Sequence, residues 1–286
     1  MKTNENIGTL IDVKKIVEEK KLNLKKRVEI LKNKGIMPKI AVILANDLDA
    51  SRVYIKKKRE MCSELGIEDA EYMLDEGTTT QKVLEVVERL NNDESVHGIL
   101  VQLPVFKHLD ERKILESISP EKDIDGFHPL NLGKLIMGNK GIVACTPKGI
   151  MSIIKSTNID LTSKTAVVVG RSIIVGKPIS QLLLNANATV ITCHSKTKNL
   201  EKYTKMADIL VVAAGVPHLI TEDMVKKGSL IIDVGINRID GKIVGDVDTQ
   251  NVLKKAKFVT PVPGGVGITT VVSLMENLVE MIEDKK

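Results

Sequence analysis

Apolar and polar positions alternate along this chain at two periods, one helical and one extended. Leu10, Val13, Val17, Leu24, Val28 and Leu31 recur on or near one helical face, which predicts an amphipathic helix over residues 10 to 33. Short apolar runs and helical stretches then take turns. Residues 39–44, 71–74 and 98–102 read as strands, the last broken by Pro104. Residues 50–65, 81–90 and 110–118 read as helices. Strands alternating with helices predict an α/β unit with a parallel sheet. Residues 120–129 are polar and read as irregular. Thr146-Pro147-Lys148-Gly149 opens a helix, with Thr146 as N-cap and Pro147 at the first position.

The second half repeats the alternation with more β-branched strands. Residues 166–169, 189–193, 209–213, 230–234 and 258–260 read as strands with helices between most of them. Pro261 to Gly267 is a rigid-then-flexible turn. Residues 268–282 form a closing helix with Val271, Val272, Met275, Leu278, Val279 and Ile282 on its apolar side. The fold expected is α/β and two-lobed. An N-terminal α/β lobe spans 1–147, a Rossmann-like lobe spans 148–267, and a C-terminal helix, 268–286, is expected to pack back on the first lobe. A ligand cleft between lobes is the natural place for a site.

Composition narrows the function. The chain has 286 residues and 43% hydrophobic content, enough for an ample core and incompatible with disorder as the main state. Aromatics are 2% and Trp is absent, so no base-stacking nucleic-acid surface is expected. The net charge of +5 is mild and interspersed; it suits small anionic ligands but reads first as solvated surface. Cys62, Cys145 and Cys193 form no C-x-x-C pair, and the N-terminus has no signal-peptide core, so a cytoplasmic location is expected. No apolar run approaches the about 18 residues of a membrane span. The five histidines lack metal-ligand spacing, so no metal is expected.

The strand ending at Val169 runs into Gly170-Arg171-Ser172, and Gly176 follows before an apolar helix. A strand, a glycine turn and a helix present backbone N–H groups to phosphate, although the spacing is not G-x-G-x-x-G. The next strand ends in Cys193-His194-Ser195-Lys196 with no acid at its tip. An NAD site usually places a carboxylate there for the ribose hydroxyl. Ser195, Lys196 and Arg171 suit a 2′-phosphate instead, so the cofactor expected is NADP.

Three features of the first lobe each carry two readings. Tyr54 and Lys58 share a helical face and could form an acid–base pair in a cleft. Lys56, Lys57, Lys58 and Arg59 could equally be solvated surface. Gln102 closes an apolar strand, as a site residue or a capping amide. Lys122-Asp123-Ile124-Asp125-Gly126 could be a simple Asx turn.

Taken together the chain resembles the bifunctional methylenetetrahydrofolate dehydrogenase/methenyltetrahydrofolate cyclohydrolase family over nearly its whole length. The resemblance rests on Tyr54-x-x-x-Lys58, Gly98 to Pro104, Pro120 to Gly126, Cys145 to Gly149, Val169 to Pro178, Thr192 to Thr197 and Thr260 to Gly267, in the family's order. It implies that Lys58 is catalytic, with Tyr54 and Gln102 beside it in catalysis and substrate binding. Asp125 would bind the pterin, and Pro263 and Gly264 would border the folate. Gly170, Arg171, Ser172, Val175, Gly176, His194, Ser195, Gly215 and Ile236 would hold NADP. Asp123 would shape its loop; Cys145, Cys193 and His194 read as structural members of their motifs. The implied substrates are tetrahydrofolate derivatives, with or without polyglutamate, feeding one-carbon metabolism and purine biosynthesis, and the implied assembly is a homodimer. In mechanism, Lys58 would move protons for water addition and ring opening, Gln102 would accept from Lys58 and donate to the substrate, and Tyr54 would supply a flat face and a hydroxyl.

The chain departs from the family at three places. Asn46 stands where Gly is usual, on a backbone Asn would tolerate in left-handed form. Asp49 stands where Pro is frequent. Ile268 replaces the Pro that opens the last helix, which bears on ligand affinity. Three other readings remain: a cyclohydrolase with weak or absent dehydrogenase activity, another two-lobed NADP-dependent dehydrogenase such as a shikimate dehydrogenase-like enzyme, and a non-catalytic NADP sensor.

Overall fold

A computed structural model describes residues 8–285. Two compact units form: one from residues 19–145 and 271–285, the other from residues 8–18 and 146–270.

Strand β1 (Thr9–Leu10) opens the described chain, and helix α1 (Val13–Asn33) follows. The helix begins at Val13 rather than at residue 10 because the Asp12 carboxylate accepts the Lys15 N–H at 3.1 Å. Leu10 is therefore a strand residue, 48% exposed, whereas Val13, Val17, Leu24, Val28 and Leu31 are buried. Pairing of β1 assigns residues 8–18 to the second unit, which corrects a first-lobe boundary beginning at residue 1.

The first unit continues with β2 (Lys39–Leu44), α2 (Asp49–Leu65), β3 (Glu68–Met73), α3 (Thr80–Asn92), β4 (Gly98–Gln102) and α4 (Glu111–Ser117). The strands pair in parallel in the order β3-β2-β4, with Leu44 opposite Met73 and Gln102. Val83, Val87, Leu90, Ile99, Val101 and Ile114 fill the core on one face. Helix α5 (Pro129–Ile136) was not legible in the sequence, since it carries Asn131 and Gly133 and exposes Leu130 and Ile136. Its start is capped by the His128 ring, which accepts the Leu130 N–H.

Helix α6 (Cys145–Ser156) begins earlier than Thr146, so Thr146 is a first-turn residue and not the N-cap. Its hydroxyl instead meets that of Thr270 at 3.1 Å. The second unit then holds β5 (Thr165–Val169), α7 (Gly176–Asn185), β6 (Thr189–Cys193), α8 (Leu200–Thr204), β7 (Ile209–Val212) and β8 (Leu230–Asp233). A hairpin of β9 (Asn237–Ile239) and β10 (Lys242–Val244) follows, then α9 (Thr249–Val252), β11 (Phe258–Val259) and α10 (Val266–Asp284). The hairpin escaped the sequence reading because each strand is only three residues long and mostly exposed, too short to show a period. Six strands pair in parallel in the order β1-β11-β8-β7-β5-β6. Strand β5 lies between β6 and β7, so the order reverses there, and ligands of open parallel sheets bind at the carboxyl ends of such a point.

The chain changes unit at residues 145/146 and 270/271, not at 147/148 and 267/268. In the first unit Leu278 of α10 packs on Gly98 of β4 so closely that a Cβ there would strike it. Among the described residues no helix is long and apolar enough to cross a membrane.

Candidate active site

Helix α2 divides its basic run. Lys56, Lys57 and Arg59 are exposed, and the Arg59 guanidinium pairs with Glu71. Lys58 is only 6% exposed. Its Nζ donates to Gln102 Oε1 at 2.7 Å and stands 5.2 Å from the centroid of the Tyr54 ring, within cation–π range. Lys58 is therefore not solvated surface: it is buried beside Tyr54 and Gln102.

Gln102 is fixed at both ends of its amide. Oε1 accepts from Lys58, and Nε2 donates to Leu103 O at 2.9 Å, which leaves one N–H of Nε2 for another acceptor. Asn46, just past β2, helps hold this strand end. Its Nδ2 donates to Pro104 O at 2.6 Å and Gln102 O at 3.4 Å, and its Oδ1 accepts the Leu48 N–H at 3.1 Å. Asn46 is 7% exposed and is not among the left-handed residues. It occupies its place by cross-linking strand ends, not by tolerating a strained turn.

The loop carrying Asp125 is pinned from several sides. Lys122 is buried; its ammonium donates to Leu90 O at 2.9 Å and Asp93 O at 2.7 Å, capping the end of α3. Its carbonyl accepts the Ile99 N–H at 2.7 Å, laying the loop along the edge of β4. Asp123 accepts from Gly126 N, His128 N and Asn131 Nδ2, so it shapes the loop. Asn277 of α10 donates to Ile124 O and Val143 O, each at 2.8 Å. Asp125 itself, half-buried, receives the Cys145 thiol at 3.6 Å. Cys145 thus touches a site residue and is more than a packing element. Asn46, Asn131 and Asn277 were missed or misread from sequence because isolated amides carry no periodic signal.

Burial sets the charges. It lowers the Lys58 ammonium from its ordinary value, opposed by the negative charge of Asp125. It lifts the Asp125 carboxyl to about 6, opposed by Lys58 and helped by Asp123. A lysine with a reduced hold on its proton, beside a fixed amide and a carboxylate, gives that proton up more readily than a solvated one.

The second unit carries a separate cavity of about 420 Å³ at the carboxyl end of its sheet. Gly170, Arg171, His194 and Ser195 line it, with Thr197, Ala213, Ala214 and Val216 among the other walls. Gly170 adopts φ +141, and a Cβ there would run into the Ala213 carbonyl oxygen. A Cβ on Gly176 would run into the Gly170 carbonyl, so α7 abuts the turn backbone to backbone. This bare-backbone turn, an exposed arginine and an acid-free strand tip fit a phosphate-bearing dinucleotide.

Other residues named from sequence fall at the margin. The Ser172 hydroxyl accepts from Val175 N at 3.2 Å and Gly176 N at 3.4 Å, so its oxygen caps α7. Gly215 and Ile236 are not among the cavity-lining residues, and Ile236 is 64% exposed. Pro263 and Gly264 belong to the second unit, not to the unit of Lys58, Gln102 and Asp125. Ile268 donates its N–H to Gly265 O at 3.2 Å in the first turn of α10, a bond a proline could not make.

Family models match both halves of the chain. Residues 11–125 match the catalytic domain of tetrahydrofolate dehydrogenase/cyclohydrolase, and residues 144–286 match its NAD(P)-binding domain. The bifunctional protein FolD of Bacillus cytotoxicus is 49% identical over 275 residues, 96% of each chain. The crystal structure of the bifunctional FolD of Campylobacter jejuni superposes with a TM-score of 0.95 at 49% identity, covering 97% of this chain and 99% of that one. The methylenetetrahydrofolate dehydrogenase-cyclohydrolase of Trypanosoma brucei, solved with NADP and an inhibitor, gives a TM-score of 0.93 at 33% identity, covering 98% of both. The chain belongs to the tetrahydrofolate dehydrogenase/cyclohydrolase family.

Proposed function

We propose that Lys58 is the proton-transfer group of a bifunctional enzyme, with Gln102 and Tyr54 orienting it and Asp125 gripping the pterin. The enzyme oxidises 5,10-methylenetetrahydrofolate to the 5,10-methenyl form with NADP and hydrolyses that product to 10-formyltetrahydrofolate. The observation that carries the residue assignment is the buried Lys58 Nζ to Gln102 Oε1 bond at 2.7 Å.

NADP, when bound, accepts the hydride. Arg171 and Ser195 would hold its 2′-phosphate, and the Gly170 turn would admit its phosphates against bare backbone. Gly215, Ile236, Val175 and His194 would flank it, and Pro263 and Gly264 would border the folate. Lys58 in its neutral form takes a proton from the attacking water and returns it to the ring nitrogen as the C–N bond breaks, while the remaining hydroxyl proton is released to solvent as the formyl C=O forms. Gln102 accepts from Lys58 and turns its spare N–H to the substrate. Tyr54 stacks beneath the Lys58 ammonium and offers a flat face. A neutral lysine serves better than a carboxylate here, because a fixed anion would trap the methenyl cation as an ion pair. Asp125 accepts from the amino and ring N–H groups of the pterin.

The reading extends to a cytoplasmic homodimer acting upstream of formyl-consuming steps such as purine synthesis. Three free cysteines support a reducing compartment, and the family resemblance supports the dimer. One assay tests the core: methenyl formation followed spectrophotometrically with NADP⁺ and then NAD⁺, and then methenyl decay without cofactor. Turnover in both steps, faster with NADP⁺, is expected; decay at the uncatalysed rate would sink the Lys58 assignment.

A further inference from the structure

Among the described residues, two carboxylates lie buried in the second unit with no cation bonded to either. Asp233 ends β8 and Asp246 follows β10, and they are 1% and 0% exposed. Asp233 Oδ1 accepts from Gly235 N at 2.9 Å and Asp246 N at 3.0 Å, and its Oδ2 accepts from Val247 N at 3.0 Å. Asp246 Oδ2 accepts from Ala214 N at 2.7 Å and Gly215 N at 2.8 Å, and its Oδ1 accepts from Asn237 Nδ2 at 2.8 Å. The two interlock through glycines. A Cβ on Gly235 would strike the Asp246 carboxylate, and a Cβ on Gly245 would strike that of Asp233.

Burying a carboxylate is costly unless its oxygens are saturated by donors. Here every bond is an N–H, and the donors come from chain segments on both sides of the hairpin. A plain turn would need no more than one such acid. Asp246 does something specific: it points two successive amides, Ala214 and Gly215, at one oxygen. Since the carbonyl of a planar trans peptide points opposite to its N–H, the Ala213 carbonyl must face away from Asp246. That carbonyl oxygen is the atom abutting Gly170. Ala213 and Ala214 both line the 420 Å³ cavity.

We infer that Asp246 is a positioning residue for the dinucleotide: through the Ala214 and Gly215 amides it fixes the wall that abuts the Gly170 turn, and through Asn237 it anchors the base of the hairpin. The inference rests on the reading of that cavity as the NADP site. Asp246 touches no ligand and moves no proton; it sets the cost of shaping the cavity.

The test measures NADP⁺ affinity by calorimetry and methenyl hydrolysis in the absence of NADP⁺ for the full chain and its variants. Asp246→Ala leaves two amides unpaired and is expected to weaken NADP⁺ about tenfold or more. Its Michaelis constant for NADP⁺ rises more than its kcat falls, and hydrolysis stays within about twofold, because Lys58 and Gln102 lie in the other unit. Asp246→Asn keeps an acceptor for Ala214 and Gly215 while Asn237 can turn its amide to match, so it recovers most of the loss. A folded Asp246→Ala protein with NADP⁺ affinity within about twofold of wild type overturns the inference. So does a parallel fall in affinity and hydrolysis, which would mark general destabilisation. Should Asp246→Ala not fold, Asn237→Ala decides: roughly a two- to fivefold loss supports the role and no loss overturns it. Wild-type protein that fails to bind NADP⁺ refutes the cofactor reading itself, and the inference falls with it.

Discussion

The two units hold acids in opposite surroundings, a buried Asp246 in one and a half-buried Asp125 in the other. Asp246 is saturated by three N–H donors and has no titrating neighbour bonded to it except the equally saturated Asp233. Asp125 receives one weak thiol contact at 3.6 Å and faces a lysine whose own proton is loosened by burial. The first arrangement ties backbone segments together through every carboxylate oxygen. The second is under-satisfied and keeps its acceptor oxygens for something else. Saturation suits a wall that must hold its shape, and incomplete satisfaction suits a group that must bind and release.

The sharpest way to break this comparison is Lys58→Met, which keeps the length and apolar stem but carries no proton. Cyclohydrolase activity is expected to fall by about 10²–10⁴-fold, the usual contribution of a general acid–base group, with NADP⁺ affinity unchanged. A mutant retaining more than half the wild-type rate would return Lys58 to the helix surface.

Asp125→Ala comes next. It removes the acceptor for the pterin and is expected to weaken a folate analogue roughly five- to two-hundredfold in calorimetric titration. NADP⁺ affinity should not move, because Asp125 and the glycine turn lie in different units. An equal loss for both ligands would make Asp125 a turn residue and erase the contrast with Asp246.

Arg171→Ala tests the other side. It removes an exposed guanidinium at the cavity lined by Ser195 and should weaken NADP⁺ about tenfold while leaving NAD⁺ unchanged. Wild-type protein that binds both equally well would refute a 2′-phosphate contact.

The smallest effect concerns stability. Folding raises the Asp125 carboxyl from 3.8 to about 6, so the folded chain holds this proton more tightly than the unfolded one. The associated stability is present below pH 3.8 and is lost as pH rises through 6. Asp125→Asn should therefore raise the melting temperature at pH 7, by roughly 2–5 °C given partial solvent screening, and leave it unchanged at pH 4. A gain of the same size at both pH values would mean that ionisation is not the cause.

Much of this was legible in the chain itself. The apolar periodicity located β2 and β6 to the residue and most other major elements to within one or two positions. The glycine turn with its acid-free strand tip by itself points to a dinucleotide phosphate. Local sequence suffices there because a strand, a tight turn and a helix start are short-range events governed by propensity and period. The four-residue spacing put Tyr54 and Lys58 on one face, yet spacing alone left Lys58 undecided among three basic neighbours. Only burial against β4 and the Asp125 loop separated it from Lys56 and Lys57, because desolvation depends on what packs overhead. The same holds for Asn46, Asn277 and Asp246. Each makes two bonds that reach 31 or more positions along the chain, and a single polar letter in the sequence does not say which distant amide or carbonyl it will meet. Sequence determined the elements and the residue types a site would need. Tertiary structure decided which of several neighbouring charges lost its water, because desolvation is set by what packs against a side chain.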